Sequence, residues 1–525
     1  MQFKSKPKEW LAGERKMRVH TRALRYTTIA YIYIPIVLFL FTWMRLWAAL
    51  PCTIVWACCA YRMHLKERAF AGDQVFCVDP LIMIISILFF LWIGYFAGWG
   101  RWVDQPYDWY KHNAVLSDMV SRSWPVYYRS ESGEHSMLAY YVAQYMVPAL
   151  IGKMMNSFRI AEIMVFVWNE IGLLLVFLNV INFMKTRHYL KQLLIMIMLP
   201  FFQVPLWLAE MFLQLKTGLF PDGTGQWFGI MTVLPLQYSS NYTLLRWVFP
   251  QTLVIWLIVL LFLQHRNKIE YYLPLMIPAM MYGTLSFIGI IPLALGQAVA
   301  ELVKSKNFKS WIKSIFSLEN LLFFLTMGGV FFLYFYGNIF GEKTDSVGFM
   351  IMPFQKDTYI FYVIFVMINV LPYAIVLWSD RKRDVIFYVV VLLLLILPLI
   401  KMGFYNDLMM RASIPSLFVL MLFSLSYLFE HIQDQAAKVT VRRKLAVTLL
   451  CAVMLFGMYY PFREFSSSVQ SEDYHALGAW HNWEGLEQFA DRSRVDITAD
   501  IRYNYFAYDI DDNLFYKYLA RVKDQ

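Results

Sequence analysis

Two carboxylates, a lysine and a histidine lie close together immediately after a strongly apolar stretch. They are Asp104, Asp108, Lys111 and His112. A positioned carboxylate can accept a proton from a hydroxyl group, and a nearby cation can stabilise the growing negative charge of a leaving phosphate. These residue types at this spacing indicate a site for group transfer from a phosphate ester.

The same residues also have a purely structural interpretation. Asp108 is a favoured residue type for the N-cap of a helix, here a helix expected from Trp109 to Val120. Lys111 could extend its charged end towards water, and His112 could lie at the membrane interface and touch lipid headgroups. The sequence alone leaves both interpretations open.

The remainder of the chain has the composition of an integral membrane protein. Of its 525 residues, 59% are hydrophobic and only 16% are charged, and the mean hydropathy is +0.47. Soluble domains carry about 25% charged residues, so this composition excludes an ordinary soluble protein. The net charge of +10 comes mainly from short basic clusters between apolar stretches. Such clusters are typical of cytoplasmic loops, and we expect no nucleic-acid partner.

About thirteen stretches are apolar enough to cross a bilayer, which needs roughly 20 apolar residues each. They lie near 27–44, 46–61, 80–99, 160–183, 190–208, 248–264, 271–284, 286–303, 317–337, 358–378, 385–402, 414–430 and 445–461. Gly283, Gly289 and Pro292 leave open that 271–303 is one long broken helix. The pattern predicts an all-α fold, a polytopic bundle of transmembrane helices.

Basic residues predict the orientation of this bundle. With the N-terminus inside, every short inside loop is basic, as the positive-inside rule requires. The outside segments are then 100–159, 209–247, 338–357, 403–413 and 462–525, so the cluster around Asp108 lies outside the cytoplasm. A crossing at 137–155 would turn Lys185–Lys191 outward, so we expect that stretch to form an interfacial helix along the outer leaflet.

Four parts of the chain follow from this orientation. Residues 1–99 hold a basic N-terminus and three spans, and 100–159 form the first outer loop with its interfacial helices. Residues 160–461 form the rest of the bundle. Residues 462–525 are a short tail outside the membrane, too short to build a substantial core alone, so we expect it to pack on the outer loops.

Several short motifs carry a resemblance to a known group of enzymes. They are the segment 108–113 that begins with Asp108, Trp124–Tyr128, Ala139–Val142, Pro148–Lys153 and Tyr405–Pro415. Together with the architecture they resemble the GT-C superfamily of polytopic glycosyltransferases. That resemblance implies a sugar donor linked to polyprenyl phosphate and a catalytic aspartate in the first outer loop. The match is Asp108, with Asp104 as the second choice.

The chain departs from the GT-C pattern in two ways. Its acidic loop follows the third span instead of the first, which implies two added N-terminal spans. The Asp-Glu pair that is common in several of the families is absent, which puts the identity of the catalytic acid in doubt.

Four further residues are candidates for binding the substrate or its phosphate. Arg411 and Lys401 lie in a polar island between two apolar spans, and arginine suits bidentate phosphate binding. The alternative for Arg411 is an ion pair with Asp407 at helical i,i+4 spacing. Arg246 begins an apolar span at its outer end, and Glu210 lies near the outer end of another.

We therefore expect a glycosyltransferase in the plasma (inner) membrane with an extracytoplasmic active site. Its partners would be a polyprenyl-phosphate-linked sugar, a glycan or lipid acceptor of the cell envelope, and membrane lipid. No metal site or cofactor is expected, although a divalent cation between Asp104 and Asp108 stays open. The alternatives are an O-antigen-type polymerase or ligase, and a transporter or flippase of lipid-linked precursors.

Overall fold

The computed structural model describes residues 16–70, 74–129, 135–217, 228, 236–339, 349–351, 356–402, 406–432, 440–470, 485–486, 505–507 and 510–521. These residues are mostly helical. The first helices are α1 (Thr21–Trp43), α2 (Leu46–Phe70), α3 (Pro80–Phe96), α4 (Asp108–Ser121), α5 (Ala143–Met154), α6 (Phe158–Met184), α7 (Tyr189–Phe201), α8 (Leu206–Thr217), α9 (Asn241–Trp247), α10 (Leu253–His265) and α11 (Tyr272–Met276). They are followed by α12 (Thr284–Ser305), α13 (Phe308–Ile315), α14 (Leu318–Phe323), α15 (Gly329–Ile339), α16 (Lys356–Asn369), α17 (Leu371–Arg381), α18 (Val385–Ile396), α19 (Asp407–Ala412), α20 (Ile414–His431), α21 (Val441–Gly457) and α22 (Tyr459–Gln470).

Short antiparallel strands join segments that are distant in sequence. They are β1 (Met17–His20), β2 (Val75–Val78), β3 (Tyr127–Arg129), β4 (His135–Leu138), β5 (Phe349–Ile351), β6 (Ile400–Met402) and β7 (Phe506–Ala507). β1 pairs with β2, β5 pairs with β6, and β4 pairs with both β3 and β7. The pairing of Leu138 with Phe506 attaches the C-terminal tail to the segment between α4 and α5.

The described helices form a membrane bundle. Seven are long and apolar enough to cross a bilayer, and the number rises to ten if each of three bent helix pairs counts as one span. Two shorter apolar helices, α3 and Val385–Leu399, complete the set. The stretch 271–284, predicted as a span, instead forms short helical turns around α11, because Pro274 and Pro278 each remove a backbone donor.

The bent pairs are explained by prolines at the breaks. α7 and α8 meet at 51°, and Pro205 lies directly before α8. α16 and α17 meet at 43°, where Pro372 occupies the first turn of α17. The largest bend, 120°, separates α9 from the helix that starts at Phe249, and Pro250 lies in the turn between them. A proline ring clashes with the preceding turn of a helix, which explains the position of each break.

The centre of the bundle is formed by α10 and the Asp407–His431 span. Every apolar residue of α10 is buried, and 94% of the apolar window of Asp407–His431 is buried. Peripheral helices such as α3 expose leucine and isoleucine, for example Leu81 and Leu88. That distribution is expected of a bundle whose outer face meets lipid.

The helix expected to lie along the outer leaflet is shorter and more enclosed than predicted. It is α5, and it packs against α6, α4 and α1. Gly152 allows this close approach, because a Cβ atom there would lie 2.5 Å from the Ala161 Cβ. Gln144 Nε2 also donates to the Asn169 Oδ1 of α6 at 2.5 Å. α5 therefore forms part of the protein interior and supports the segment before it.

Candidate active site

Asp108 occupies the first turn of α4, and Tyr107, not Asp108, is the N-cap residue. The Asp108 carboxylate therefore does not act as the cap that the structural interpretation required. Its Oδ2 instead lies 2.7 Å from Lys111 Nζ, one turn further along the helix. The Asp108 side chain is 28% exposed, so the pair lies at the edge of the protein interior and remains open to a ligand.

The charges around Asp108 determine its protonation state. Burial alone would raise the pKa of this carboxyl group, but the charge and hydrogen bond of Lys111, with smaller effects of His112 and Arg411, lower it below its usual 3.8. Asp108 is therefore ionised at neutral pH. The effect of Arg411 also shows that this arginine lies within electrostatic reach of Asp108, although the two are far apart in sequence.

His112 is buried beside this pair and is held on both sides. Its Nε2 lies 2.9 Å from the Trp247 carbonyl oxygen, and its Nδ1 lies 2.6 Å from the Tyr145 hydroxyl. A carbonyl can only accept, so Nε2 carries the proton and Nδ1 accepts from Tyr145. Burial, followed by the charge of Lys111, lowers the pKa of His112 to about 3. His112 is therefore neutral and connects α4, α5 and α9.

Arg411 lies in α19, at the start of the central span. Its Nη1 donates to Asp407 Oδ1, which is the i,i+4 pair that the structural interpretation predicted. Its Nε is also buried, and no hydrogen-bond partner for it exists among the described residues. Arg411 is thus held by one ion pair while a second donor remains available.

Tyrosines enclose the space between Asp108 and Arg411. The rings of Tyr140 and Tyr141 are 3.7 Å apart, and the Tyr505 ring from the tail lies 4.9 Å from that of Tyr140. Gln251 Nε2 donates to the Tyr141 hydroxyl at 2.7 Å. The pKa of Tyr505 is raised by burial and by Tyr141 and Asp108, while Arg411 lowers it. Tyr505 is therefore close to both charged groups.

The other predicted residues lie at varying distances from this cluster. Arg246 is buried, and its Nη1 donates to the Phe96 carbonyl at 2.8 Å, while its own carbonyl accepts from Trp109 Nε1 at 2.7 Å. Glu210 is buried on α8, and Lys401 lies on β6 opposite Met350 of β5. Asp104 is partly exposed and forms no ion pair with a described residue.

Sequence reasoning missed the two groups that close the site, Tyr505 and Gln251. Tyr140 and Tyr141 belong to a motif that the resemblance singled out, but nothing in the sequence placed them beside Arg411. Tyr405 of the late outer motif lies outside the described residues. No signal in a single sequence could have assigned Tyr505, because its position depends on the pairing of β7 with β4.

No group of three or more His, Cys, Asp or Glu side chains within the described ranges could hold a metal ion. Comparison with protein-family models, with curated proteins and with solved structures finds no significant match to this chain.

Proposed function

We propose that this protein is a multi-pass membrane glycosyltransferase of GT-C type. It moves a sugar from a polyprenyl-phosphate carrier to a hydroxyl group of an extracytoplasmic glycan or lipid. The observation that carries the proposal is the electrostatic coupling of Asp108 to Arg411, because a base and a phosphate-binding cation must share one site for this reaction.

The reaction divides between these residues. Ionised Asp108 accepts the proton of the acceptor hydroxyl as its oxygen bonds to the anomeric carbon of the sugar. The bond between that carbon and the phosphate oxygen breaks, and the electron pair leaves with polyprenyl phosphate. Arg411 Nε donates to the leaving phosphate, and Lys111 moves from Asp108 to a phosphate oxygen as the donor binds. The step has one base and no protein nucleophile, so it inverts the sugar configuration.

Three residues support this geometry without entering the reaction. His112 is neutral, so its role here is to fix α4 against α5 and α9 rather than to bind phosphate. The tilted rings of Tyr140 and Tyr141 lie near Arg411 and provide an aromatic surface that suits a sugar ring.

The finer topology belongs to the same proposal, with about thirteen crossings, the N-terminus inside and the C-terminus outside. Contacts between distant segments divide the described loops into two groups. Arg62 pairs with Glu319 at 2.8 Å and Arg266 with Asp384 at 2.8 Å, which joins loops that the charge pattern predicts to be inside. Trp43, at the other end of α1, instead lies against Trp124.

The irregular turns around α11 are consistent with this division. A Cβ atom at Gly283 would lie 2.8 Å from Gln251 Cγ, so Gly283 is close to the end of the bundle where Tyr141 lies. His265, at the far end of α10, precedes the irregular turns that lead back to Gly283. These turns therefore connect the two ends of the bundle, although they do not form a regular helix.

Substitution of Asp108 tests the proposed base. We expect Asp108→Asn to reduce the release of polyprenyl phosphate from a polyprenyl-phosphate sugar by about 10²–10⁴-fold, since the amide cannot accept the proton. Asp511→Asn, an exposed aspartate of the tail, is the matched control and should retain wild-type turnover. Equal activity of Asp108→Asn and the control would refute the assignment, and selective loss in Asp104→Asn would move the base to Asp104.

Substitution of Arg411 tests the phosphate contact. Arg411→Lys keeps the charge but removes Nε, so we expect kcat to fall by about tenfold with the protein folded. Arg411→Gln should cost about 10²–10³-fold. An increase of KM alone, with kcat unchanged, would mean that Arg411 binds the ground state and does not stabilise the leaving phosphate.

A transporter or flippase of a lipid-linked precursor remains the second candidate. The three bent helix pairs favour it, because broken helices are common at the substrate sites of transporters. A proteoliposome assay with a labelled lipid-linked sugar separates the two functions. Transferase activity releases polyprenyl phosphate, whereas a flippase moves the carrier intact to the opposite leaflet.

A further inference from the structure

A cavity lies between α1, α2, α10, α11 and α14. Its walls are largely aromatic and aliphatic, including Tyr33, Trp56, Leu261, Leu275 and Phe323. Walls of this kind suit the apolar part of a ligand, since ligand pockets are lined mainly by hydrophobic and aromatic side chains.

This cavity lies at the end of the bundle opposite to Asp108. Arg25 and Tyr26 line it at the beginning of α1, whereas Trp43 at the end of the same helix contacts Trp124 near the candidate active site. His265 lines it at the end of α10, whereas the turn before α10 places Phe249 against Trp109. The cavity is therefore separate from the proposed transferase site.

Basic and polar groups line one side of the cavity. They are Arg25, His64 and His265, and the lining contains no aspartate or glutamate. The Tyr26 hydroxyl hydrogen-bonds to His64 Nδ1, which joins α1 to α2, and His265 Nδ1 donates to the Leu261 carbonyl at 2.8 Å. Tyr26 is 37% exposed, so the polar side of the cavity lies close to the surface of the bundle.

An occupant that matches these walls is apolar over most of its length and negatively charged at one end. Arginine binds phosphate oxygens through a planar pair of donors. The charge pattern predicts that this end of the bundle faces the cytoplasm, where anionic lipids attract basic residues. We propose that this cavity binds one anionic membrane lipid, with its phosphate at Arg25 and its chains along Trp56 and Phe323.

The test uses the full-length protein in detergent and native mass spectrometry to count bound lipids. We expect retention of phosphatidylglycerol over phosphatidylcholine. Arg25→Gln should weaken phosphatidylglycerol binding by about tenfold, since it removes a charge-assisted hydrogen bond. Lys313→Gln, on exposed α13, is the matched control for surface charge and should change binding by less than about twofold.

A second pair of variants tests the apolar wall without touching the charge. Ala60 lines the cavity, so Ala60→Phe should exclude the lipid while Arg25 remains in place. If Ala60→Phe lowers the thermal midpoint of lipid-free protein, Ala60→Leu replaces it as the smaller obstruction. Equal binding of the two lipids, or equal effects of Arg25→Gln and Lys313→Gln, would overturn the proposal. Stabilisation by inorganic phosphate as large as that by phosphatidylglycerol would reduce the site to an ion site.

Discussion

Burial and neighbouring charge give two residues of α4, Asp108 and His112, opposite properties. Asp108 is partly exposed and ionised because Lys111 offsets its burial. His112, one turn further along the helix, is buried and neutral because two hydrogen bonds replace its contacts with water. A carboxylate that is ionised at all ordinary pH values can act as a base only if the donor first withdraws Lys111 from it. The ion pair of Asp108 with Lys111 therefore predicts ordered binding, in which the lipid donor binds before the acceptor.

The pH dependence of stability tests the neutral state of His112. Its folded pKa of about 3 lies below the usual 6.5, so between these values the unfolded chain binds a proton that the folded protein does not. We expect the free energy of unfolding to fall as pH decreases through this window, by up to about 1.4 kcal/mol per pH unit. Thermal unfolding between pH 7 and pH 4 measures this dependence, and His112→Gln should flatten it.

Asp108 serves as the comparison, since its stability effect has a different pH window. A carboxyl group with a lowered pKa stabilises the fold above its unfolded pKa of 3.8, and that contribution is lost only as pH falls through the folded value. Asp108→Asn should therefore leave the slope above pH 4 unchanged. A slope that His112→Gln does not alter would mean that another group accounts for the acid sensitivity.

At the scale of elements, close packing of α12 on α19 holds Arg411 in place. A Cβ atom at Gly289 would lie only 2.2 Å from the Ala412 carbonyl oxygen, next to Arg411. Gly289→Ala must therefore push α12 away from α19, and we expect a loss of about 1–3 kcal/mol in stability together with reduced transferase activity. Thermal unfolding and the polyprenyl phosphate assay measure both effects.

Gly329→Ala is the matched control for this prediction. A Cβ atom there meets only the Phe324 carbonyl oxygen, at 3.8 Å, which is ordinary van der Waals contact. Alanine also favours helix by about 1 kcal/mol over glycine, so this variant should be neutral or slightly stabilised. Wild-type stability and activity of Gly289→Ala would show that α12 does not position Arg411.

The elements themselves were predictable where one physical effect dominates. α1 and α6 lie within a few residues of the stretches assigned from hydrophobicity, because a long apolar run without a central break has few alternatives in a membrane. The bends at Pro205 and Pro372 were not assigned, since a proline within an apolar run is compatible with either a kinked or a straight span. The pair of Asp108 with Lys111 was not predicted, although the two residues lie one helical turn apart.

The parts of the site that depend on long-range packing could not be predicted. Arg411 is held by the packing of α12 on α19, and nothing in the sequence indicates that this packing brings it near Asp108. Tyr505 is brought to the site by the adjacent strand β7, whose two residues carry no recognisable strand signal. The periodicity of a single sequence describes one element at a time, so it contains no information about contacts between distant elements.

At the scale of the whole molecule, the two ends of the bundle differ in chemistry. The end with Asp108 holds tyrosines, Arg411 and the attached tail. The opposite end holds the pairs Arg62–Glu319 and Arg266–Asp384 and the cavity beside Arg25. A transferase that uses an extracytoplasmic acceptor requires the end with Asp108 to face outward. The lipid-binding proposal assumes that the opposite end faces the cytoplasm, so one measurement of orientation bears on both proposals.

Cysteine labelling in intact cells tests this orientation. In a variant with the native cysteines replaced by serine, we expect Tyr107→Cys to react with a membrane-impermeant maleimide from outside, because Tyr107 is 54% exposed beside Asp108. Lys309→Cys, exposed on α13 at the opposite end, should react only after the cells are lysed. The replacement is needed because Cys58 is itself exposed. The reverse labelling pattern would place Asp108 in the cytoplasm, where a polyprenyl-phosphate donor could not meet an envelope acceptor. The transferase proposal would then fail, while lipid binding in the cavity could still be tested by mass spectrometry.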